Sequence, residues 1–364
     1  MIKLRNCKWV DFFNRINGKK LYCFGSGRLT EWLTLERCGY AFAPKVIAFV
    51  DNDEHKQGTG ILLDGRVIPV ISFSEFLKQK DENTLMLITS MYYKAMIEQM
   101  DAEMSLNDME CYVEVFLEAD RECVTFGGND KICIPPKIHY CWFGRKELPR
   151  QYKECIESWR KYCPDYEIIE WNEDNYDYKK IPYIRQAYEL EKWAFVSDYV
   201  RLDVVYQYGG IYLDTDVEVV RNLDLLRNSL MFCGFEQGND VNTGLGFGAV
   251  RGFEHLKKMR DMYHNMVFLD EEGKLNLTAC TKYQTDYLAS IGLQRNGKQR
   301  SIDNIMVYPR TVFAPLDFYG VHNYLSESTF TIHHYAASWF GKDKSRDVLL
   351  AMNNMISQRM KENV

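Results

Sequence analysis

The first 120 or so residues alternate short, wholly apolar runs with stretches of helical period. Residues 20–24, 46–50, 67–70 and 85–89 read as strands. They are punctuated by Gly25-Ser26-Gly27, by Asp51-Asn52-Asp53 and by a turn around Gly58 and Gly60. Helical spacing runs from Leu29 to about Cys38, onward from Ser74, and from Tyr92 to about Met100. Strands alternating with helices predict a parallel α/β sheet. Residues 123–133 contain Gly127-Gly128-Asn129-Asp130, lack periodicity and read as a linker. Alternation then resumes, with a strand at 138–143, a helix at about 149–162 and a strand at 166–171. Helices follow at 181–190 and 193–208, a strand at 211–220, and an amphipathic helix at 348–360. The expected organisation is an α/β chain: a Rossmann-like parallel-sheet domain over residues 1–122, the linker 123–133, and a second α/β domain over 134–364.

Composition narrows the function classes. The chain of 364 residues is 46% hydrophobic and 26% charged, which excludes a disordered, collagen-like or coiled-coil protein. Its formal charge of −6 lacks the basic footprint of a nucleic-acid binder, so no nucleic-acid partner is expected. Eleven cysteines, an odd number with no Cys-x-x-Cys pair, argue against a disulfide framework or a zinc site. They read as reduced thiols packed as small hydrophobes in a cytoplasmic protein. Residues 1–10 lead into no apolar run, so no signal peptide is expected. The longest uncharged stretch, 328–341, is too short and polar for a membrane span of ~20 apolar residues.

Gly25-Ser26-Gly27 after a strand, with Asp51 closing the next, is part of a dinucleotide fingerprint, in which backbone amides meet a phosphate. Thr30 holds the place of the third glycine, so the pattern is incomplete. The segment resembles Rossmann-like modules attached to bacterial polysaccharide-synthesis enzymes, and a structural or docking role is the main expectation.

The stretch that carries chemistry is 193–219, WAFVSDYVRLDVVYQYGGIYLDTDVEV. Trp193, Val196, Val200 and Val204 form an apolar helical stripe, and Asp198 and Arg201, three apart, share a face. Gly209-Gly210 stop the helix, and the next strand ends in Asp214-Thr215-Asp216. Alternate strand residues share a face, so the two carboxylates should point the same way about 7 Å apart. Such a pair suits a hard divalent cation that also takes substrate phosphates.

The compound pattern Ser-Asp-x-x-Arg, helix, Gly-Gly-x-Tyr-x-Asp-x-Asp resembles glycosyltransferase family 32, the DXD-containing sugar-binding region. It is also similar to the catalytic domains of glucosylating toxins and Golgi mannosyltransferases. The likeness spans 134–340 and is strongest at 134–219 and 331–340. It implies a GT-A fold for the second domain, Mn2+ (or Mg2+), and a retaining hexosyltransferase. The implied donor is a nucleotide diphospho-sugar, a UDP-sugar ahead of GDP-mannose. In the opening strand, Cys141 and Trp142 match the positions that pair with and stack on the base. Ser197, Tyr212 and Ser338 complete the implied donor site. Asp198 would orient sugar hydroxyls, Arg201 would hold phosphate or sugar, and Trp339 would donate its indole proton to the β-phosphate. Asp214, Asp216 and His334 are the implied metal ligands, with His333 as the alternative to His334. Asp214 would also touch ribose and sugar. Glu236, Asp240 and Asn242, before the Gly-rich run 243–248, stand as an acceptor edge or as a flexible loop. Residues 283–288 depart from the proline-containing form expected for one wall of the sugar pocket.

The resemblance further implies a saccharide acceptor, free or lipid-linked, and a part in surface polysaccharide synthesis. The enzyme would then be peripheral, at the inner face of the membrane. Two other classes compete with it. One is a non-catalytic nucleotide-sugar or metal-binding module. The other is a nucleotide-cofactor oxidoreductase built on the N-terminal sheet.

Overall fold

A computed structural model describes residues 1–118, 123–127, 131–317, 321–335 and 345–362. They form two compact units. One is Met1–Arg121 with Tyr319–His322 and Lys344–Val364; the other is Glu122–Phe318 with Asn323–Asp343.

The first unit is built on a seven-stranded sheet. Its strands are β1 (Lys3–Arg5), β2 (Lys20–Phe24), β3 (Val46–Val50), β4 (Gly60–Leu63), β5 (Arg66–Ile71), β6 (Thr84–Ile88) and β7 (Glu110–Val113). They lie in the order β1-β7-β6-β2-β3-β5-β4, all parallel except the β4–β5 hairpin. The central strands are apolar on both faces because both faces are covered. Leu21, Cys23, Leu85 and Leu87 enter one core with Phe12 and Phe42. Tyr22, Phe24, Met86 and Ile88 enter the other with Phe76 and Tyr93. The expected helix at 29–38 is broken at Thr34, which is extended, into a 3-10 turn Arg28–Leu33 and a short helix Leu35–Cys38. Asp64 accepts the Leu35 N–H there at 2.8 Å, a tertiary cap that local spacing does not reveal.

The C-terminal helix Ser345–Glu362 belongs to this first unit, not to the second domain as the chain order suggested. Met352, Ile356 and Met360 extend the Tyr93 side of the core. Arg359 makes a two-pronged ion pair with Asp101 at 2.6 and 2.8 Å, and Asn353 accepts the Tyr93 hydroxyl.

The second unit carries β8 (Lys137–Cys141), β9 (Glu167–Trp171), β10 (Gly210–Tyr212), β11 (Val217–Val219), β12 (Met231–Gly234), β13 (Phe247–Ala249), β14 (Arg300–Ile302), β15 (Ile305–Tyr308) and β16 (Thr331–His333). Seven of them form a mixed sheet in the order β14-β15-β12-β13-β10-β8-β9, and β11 pairs with β16 alone. β13 runs antiparallel to both β10 and β12, so those two are parallel to each other. The carboxyl ends of β8, β9, β10, β12 and β15 therefore meet at one edge of the sheet. The expected strand 211–220 is split. Val217 N–H bonds the Asp214 carbonyl at 3.1 Å, and the turn transfers the chain from the large sheet to β11.

The helix Trp193–Tyr208 packs against this sheet and is buried nearly all round, from Phe195 to Val205. Its buried Asp203 is held by Tyr176, Lys180, Gln207 and Arg260. Gly209 and Gly210 end it at φ 65° and 119°, where a Cβ on Gly210 would press on His139 and Lys137. His139 accepts from the Trp171 indole and bonds the Gly209 carbonyl, and burial pushes its pKa down to about 4, so it packs as a neutral ring. The described part of the segment expected to be a linker is anchored to this unit. Phe126 packs on Tyr308 and Phe330, and the Gln299 side-chain amide bonds both the N–H and the carbonyl of Thr125.

One group in the first unit sets a pH dependence. Glu114 is 4% exposed, its Oε2 takes no hydrogen bond among the described residues, and burial raises its pKa to about 8. Its folded pKa lies above the unfolded one, so stability is lost as pH rises from about 4.5 to 8. The loss is on the order of 4 kcal/mol at pH 8. Glu114→Gln should raise the thermal midpoint at pH 8 and leave it nearly unchanged at pH 4, where wild type is already protonated. Melts at the two pH values check this; an equal shift at both would refute it.

Candidate functional site

The site is assembled at the carboxyl ends of β10 and β8. Arg201, 4% exposed on the inner side of the helix Trp193–Tyr208, places one guanidinium nitrogen 3.1 Å from both Asp198 and Asp214. Burial opposes its charge, but the carboxylates of Asp214 and Asp198 outweigh that and hold it protonated. The guanidinium lies over the Tyr212 ring, 5.1 Å from its centroid, and the Tyr212 hydroxyl donates to the same Asp214 oxygen at 2.9 Å. Burial pushes the Asp198 carboxyl up, against the pull of Arg201. Cys280, at the start of the helix Cys280–Ser290, closes the far side, its Sγ 3.8 Å from Arg201. The helical spacing of Asp198 and Arg201 thus does what it predicts, and adds Asp214.

Asp214 and Asp216 lie in the turn between β10 and β11, not along a strand as expected. The turn draws them together, and β16 brings His333 beside them. One ligand atom from each of Asp214, Asp216 and His333 lies within 4.8 Å of the other two. The His333 Nε2 is 3.3 Å from Asp216, and its Nδ1 is buried with no hydrogen-bond partner among the described residues. Burial works against an imidazolium here, but Asp216, Asp214 and Glu236 outweigh it and raise the His333 pKa. Two carboxylates with an imidazole nitrogen beside them fit a divalent cation of manganese type.

This corrects the choice of His334. β16 pairs antiparallel with β11, setting His333 opposite Val217. Successive residues face opposite sides, so His333 enters the cluster and His334 turns to Glu218 at 3.0 Å.

The remaining expected donor residues divide. Cys141 is buried and sits with Tyr212 and Ser197 around its thiol, so only its main chain can meet a ligand. The Ser197 hydroxyl donates to the Trp193 carbonyl in its own helix. Trp142 is half-buried, edge-on to Tyr152, and its indole N–H donates to the Lys146 carbonyl at 2.6 Å. Ser338 and Trp339 lie outside the described residues.

The segment around Glu236 is built rather than loose. Phe235 and Val241 form an antiparallel bridge, Glu236 N–H bonds the Asp240 carbonyl at 2.8 Å, and Asp240 pairs with Arg295. Gln284 and Thr285 hold Thr243 and Val241 from behind. Asn242 joins the Glu236 carboxylate to the Gly244 N–H, at 2.8 and 2.7 Å. Gly244 accepts the Asp214 N–H, and a Cβ on it would collide with the Asp214 carboxylate. Only tertiary contact reveals these supports; the Gly-rich run was the one local sign.

The N-terminal glycine turn is satisfied internally. Asp51 takes the Ser26 N–H at 2.9 Å, the Ser26 hydroxyl, the Asp53 N–H at 3.0 Å and Lys56 at 3.3 Å. The carboxylate that would meet a ribose is committed to closing its own loop.

His333→Ala should weaken manganese binding in the presence of UDP or GDP by on the order of ten-fold or more, and His334→Ala by far less. Titration of free Mn2+ by electron paramagnetic resonance distinguishes them, and the reverse ranking would refute the assignment.

Comparison with known proteins bears on the same segment. Residues 149–232 match the family model described as glycosyltransferase sugar-binding region containing DXD motif. Inositol phosphoceramide mannosyltransferase 3 of Schizosaccharomyces pombe is 33% identical over 106 residues, which are 27% of this chain and 28% of that protein. Mannosyl phosphorylinositol ceramide synthase SUR1 of Saccharomyces cerevisiae is 30% identical over 95 residues, 25% of each. The match thus spans about a quarter of these relatives' length. Among solved structures, PaToxG glycosyltransferase is similar over 43% of this chain and 69% of its own, at 20% identity and a TM-score of 0.34. A glycosyltransferase involved in glycosylating the major capsid of PBCV-1 is similar over 60% of this chain and all of its own, at 12% identity and a TM-score of 0.35. Residues 149–232 are thus similar to a DXD-containing glycosyltransferase sugar-binding region, and Asp214-Thr215-Asp216 is an Asp-x-Asp sequence inside the matched segment.

Proposed function

We propose that this protein is a metal-dependent retaining glycosyltransferase of GT-A type. It would move a hexose from a nucleotide diphospho-sugar to a saccharide, free or lipid-linked. The single observation that carries the reading is the clustering of Asp214, Asp216 and His333 beside the buried Arg201. The relatives' names favour mannose as the sugar; a UDP-sugar remains the alternative donor. The acceptor of those relatives, as named, carries a lipid, which agrees with action at a membrane surface. A place in surface polysaccharide synthesis at the inner face of the membrane follows from the resemblance of the motifs.

Transfer breaks the bond between the anomeric carbon and a β-phosphate oxygen, and charge grows on the departing diphosphate. A divalent cation, when bound, neutralises that charge as a Lewis acid. Asp214, Asp216 and His333 would hold it. Arg201 is a second positive centre, prevented from moving by its two carboxylate partners and therefore oriented before the reaction. Asp198 lies on the same guanidinium and would accept hydrogen bonds from sugar hydroxyls, fixing the ring. Retention is read as same-face attack. The acceptor oxygen bonds to the anomeric carbon as the phosphate leaves, and the acceptor proton passes to the leaving phosphate oxygen.

Thermal stability with UDP, GDP, their sugars and Mn2+ tests this. A ligand that binds only the folded state at ~100 times its dissociation constant adds ~2.7 kcal/mol. A manganese-dependent shift with one nucleotide is expected. Asp216→Ala should abolish it and lower release of that nucleotide from its sugar by on the order of 100-fold or more. No shift with any nucleotide would overturn the donor site.

A further inference from the structure

We infer that Glu236 receives the acceptor, its carboxylate taking a hydrogen bond from a hydroxyl of a neutral polyol ring, a sugar or a cyclitol. The inference rests on the transferase reading and adds the side of the site from which the second substrate is held.

Placement comes first. Glu236 follows β12 by two residues, and Asp214 follows β10 by two. These strands are parallel, with β13 alone between them. Two strand spacings set their backbones about 10 Å apart. β8 lies on one side of β10 and β12 on the other, so Glu236 stands across Asp214 from the donor-side residues of β8, on the side where its charge helps to raise the His333 pKa.

The state of the carboxylate comes second. Its Oε2 accepts from Asn242, while Oε1 takes no hydrogen bond among the described residues. The other acidic side chains named at this edge each meet a cationic or imidazole partner: Asp214 and Asp198 meet Arg201, Asp216 meets His333, and Asp240 meets Arg295. Among the described residues, Glu236 meets only the Asn242 amide. A carboxylate oxygen at a polar edge is satisfied by an O–H donor. The same oxygen repels phosphate or another carboxylate, which makes the part of the acceptor that it contacts neutral and hydroxylated. Burial raises the Glu236 pKa to about 7 while Asn242 and His333 lower it, as for a group held at the border of the protein interior.

Rigidity comes third. Asn242 fixes both the Glu236 carboxylate and the Gly244 amide, and Gly244 touches Asp214. One short peptide therefore sets the acceptor-side carboxylate and the donor-side carboxylate relative to each other, which same-face transfer requires. Glu236 makes no bond to the transferred carbon. The proton still passes from the attacking hydroxyl to the leaving phosphate, and Glu236 binds a neighbouring hydroxyl.

The test is nucleotide release by the full chain with Mn2+, from UDP-glucose and GDP-mannose, with and without myo-inositol or methyl α-mannoside. In wild type, a polyol should accelerate release and become glycosylated, read by mass spectrometry. In Glu236→Gln the half-saturating polyol concentration should rise on the order of ten-fold or more, with that of the donor moving much less. Unchanged polyol saturation would overturn the inference. A matching rise for the donor, or loss of the manganese-dependent thermal shift, would also overturn it by moving Glu236 to the donor side. Release that no polyol accelerates would overturn the acceptor class alone. No release from any donor in wild type would instead be a failure of the transferase reading. Should Glu236→Gln lose its thermal transition, Glu236→Asp, which keeps the charge and shifts it by one carbon, supplies the same comparison.

Discussion

Burying Arg201 is the constraint around which the second unit is organised. A guanidinium taken out of water must be paired, and leaving it unpaired costs several kcal/mol. Asp198, one turn back on the same helix, supplies one partner, and Asp214, at the end of β10, supplies the other. The ion pair therefore ties the helix Trp193–Tyr208 to the strand that carries the Asp-x-Asp turn. Tyr212 serves it twice, as a ring beneath the cation and as a hydroxyl on the same carboxylate oxygen. Once Asp214 is held from this side, Gly244 can approach from the other, and only a residue without a side chain fits.

Helix and strand order then decide what the carboxylates face. The reversal from β10 into β11 makes β11 available to β16, and that pairing delivers His333. The turn between the two sheets contributes both Asp214 and Asp216, and the small sheet supplies the imidazole. Behind the opposite flank, the buried amide of Gln284 and the hydroxyl of Thr285 replace what a loop would otherwise lose to water. The substituted wall at 283–288 thus has a role in supporting the segment around Glu236.

The first unit shows the same physics with a different result. Its glycine turn looks like a phosphate loop, yet Asp51 spends its hydrogen bonds on Ser26 and Asp53. A parallel sheet with both faces apolar needs cover, and part of that cover comes from the last helix of the chain. The helix is amphipathic in the sequence, but amphipathicity says only that a face must be buried, not where.

By itself, the sequence determined the elements whose signal is local. Strands 20–24 and 46–50 are legible as short apolar runs closed by turn residues, and the helix 193–208 by its length and apolar stripe, with Gly209-Gly210 marking a stop that backbone geometry enforces. The pairing of Asp198 with Arg201 is legible for the same reason, being set by helical pitch. Tertiary structure alone decided whether His333 or His334 joins the aspartates, since the answer is the register of β16 against a strand more than a hundred residues earlier. It also decided that 211–220 breaks at the Asp-x-Asp turn, that the last helix returns to the first unit, and that Glu236 stands across from Asp214. Each of these depends on which segments meet, and spacing along a chain carries no record of that.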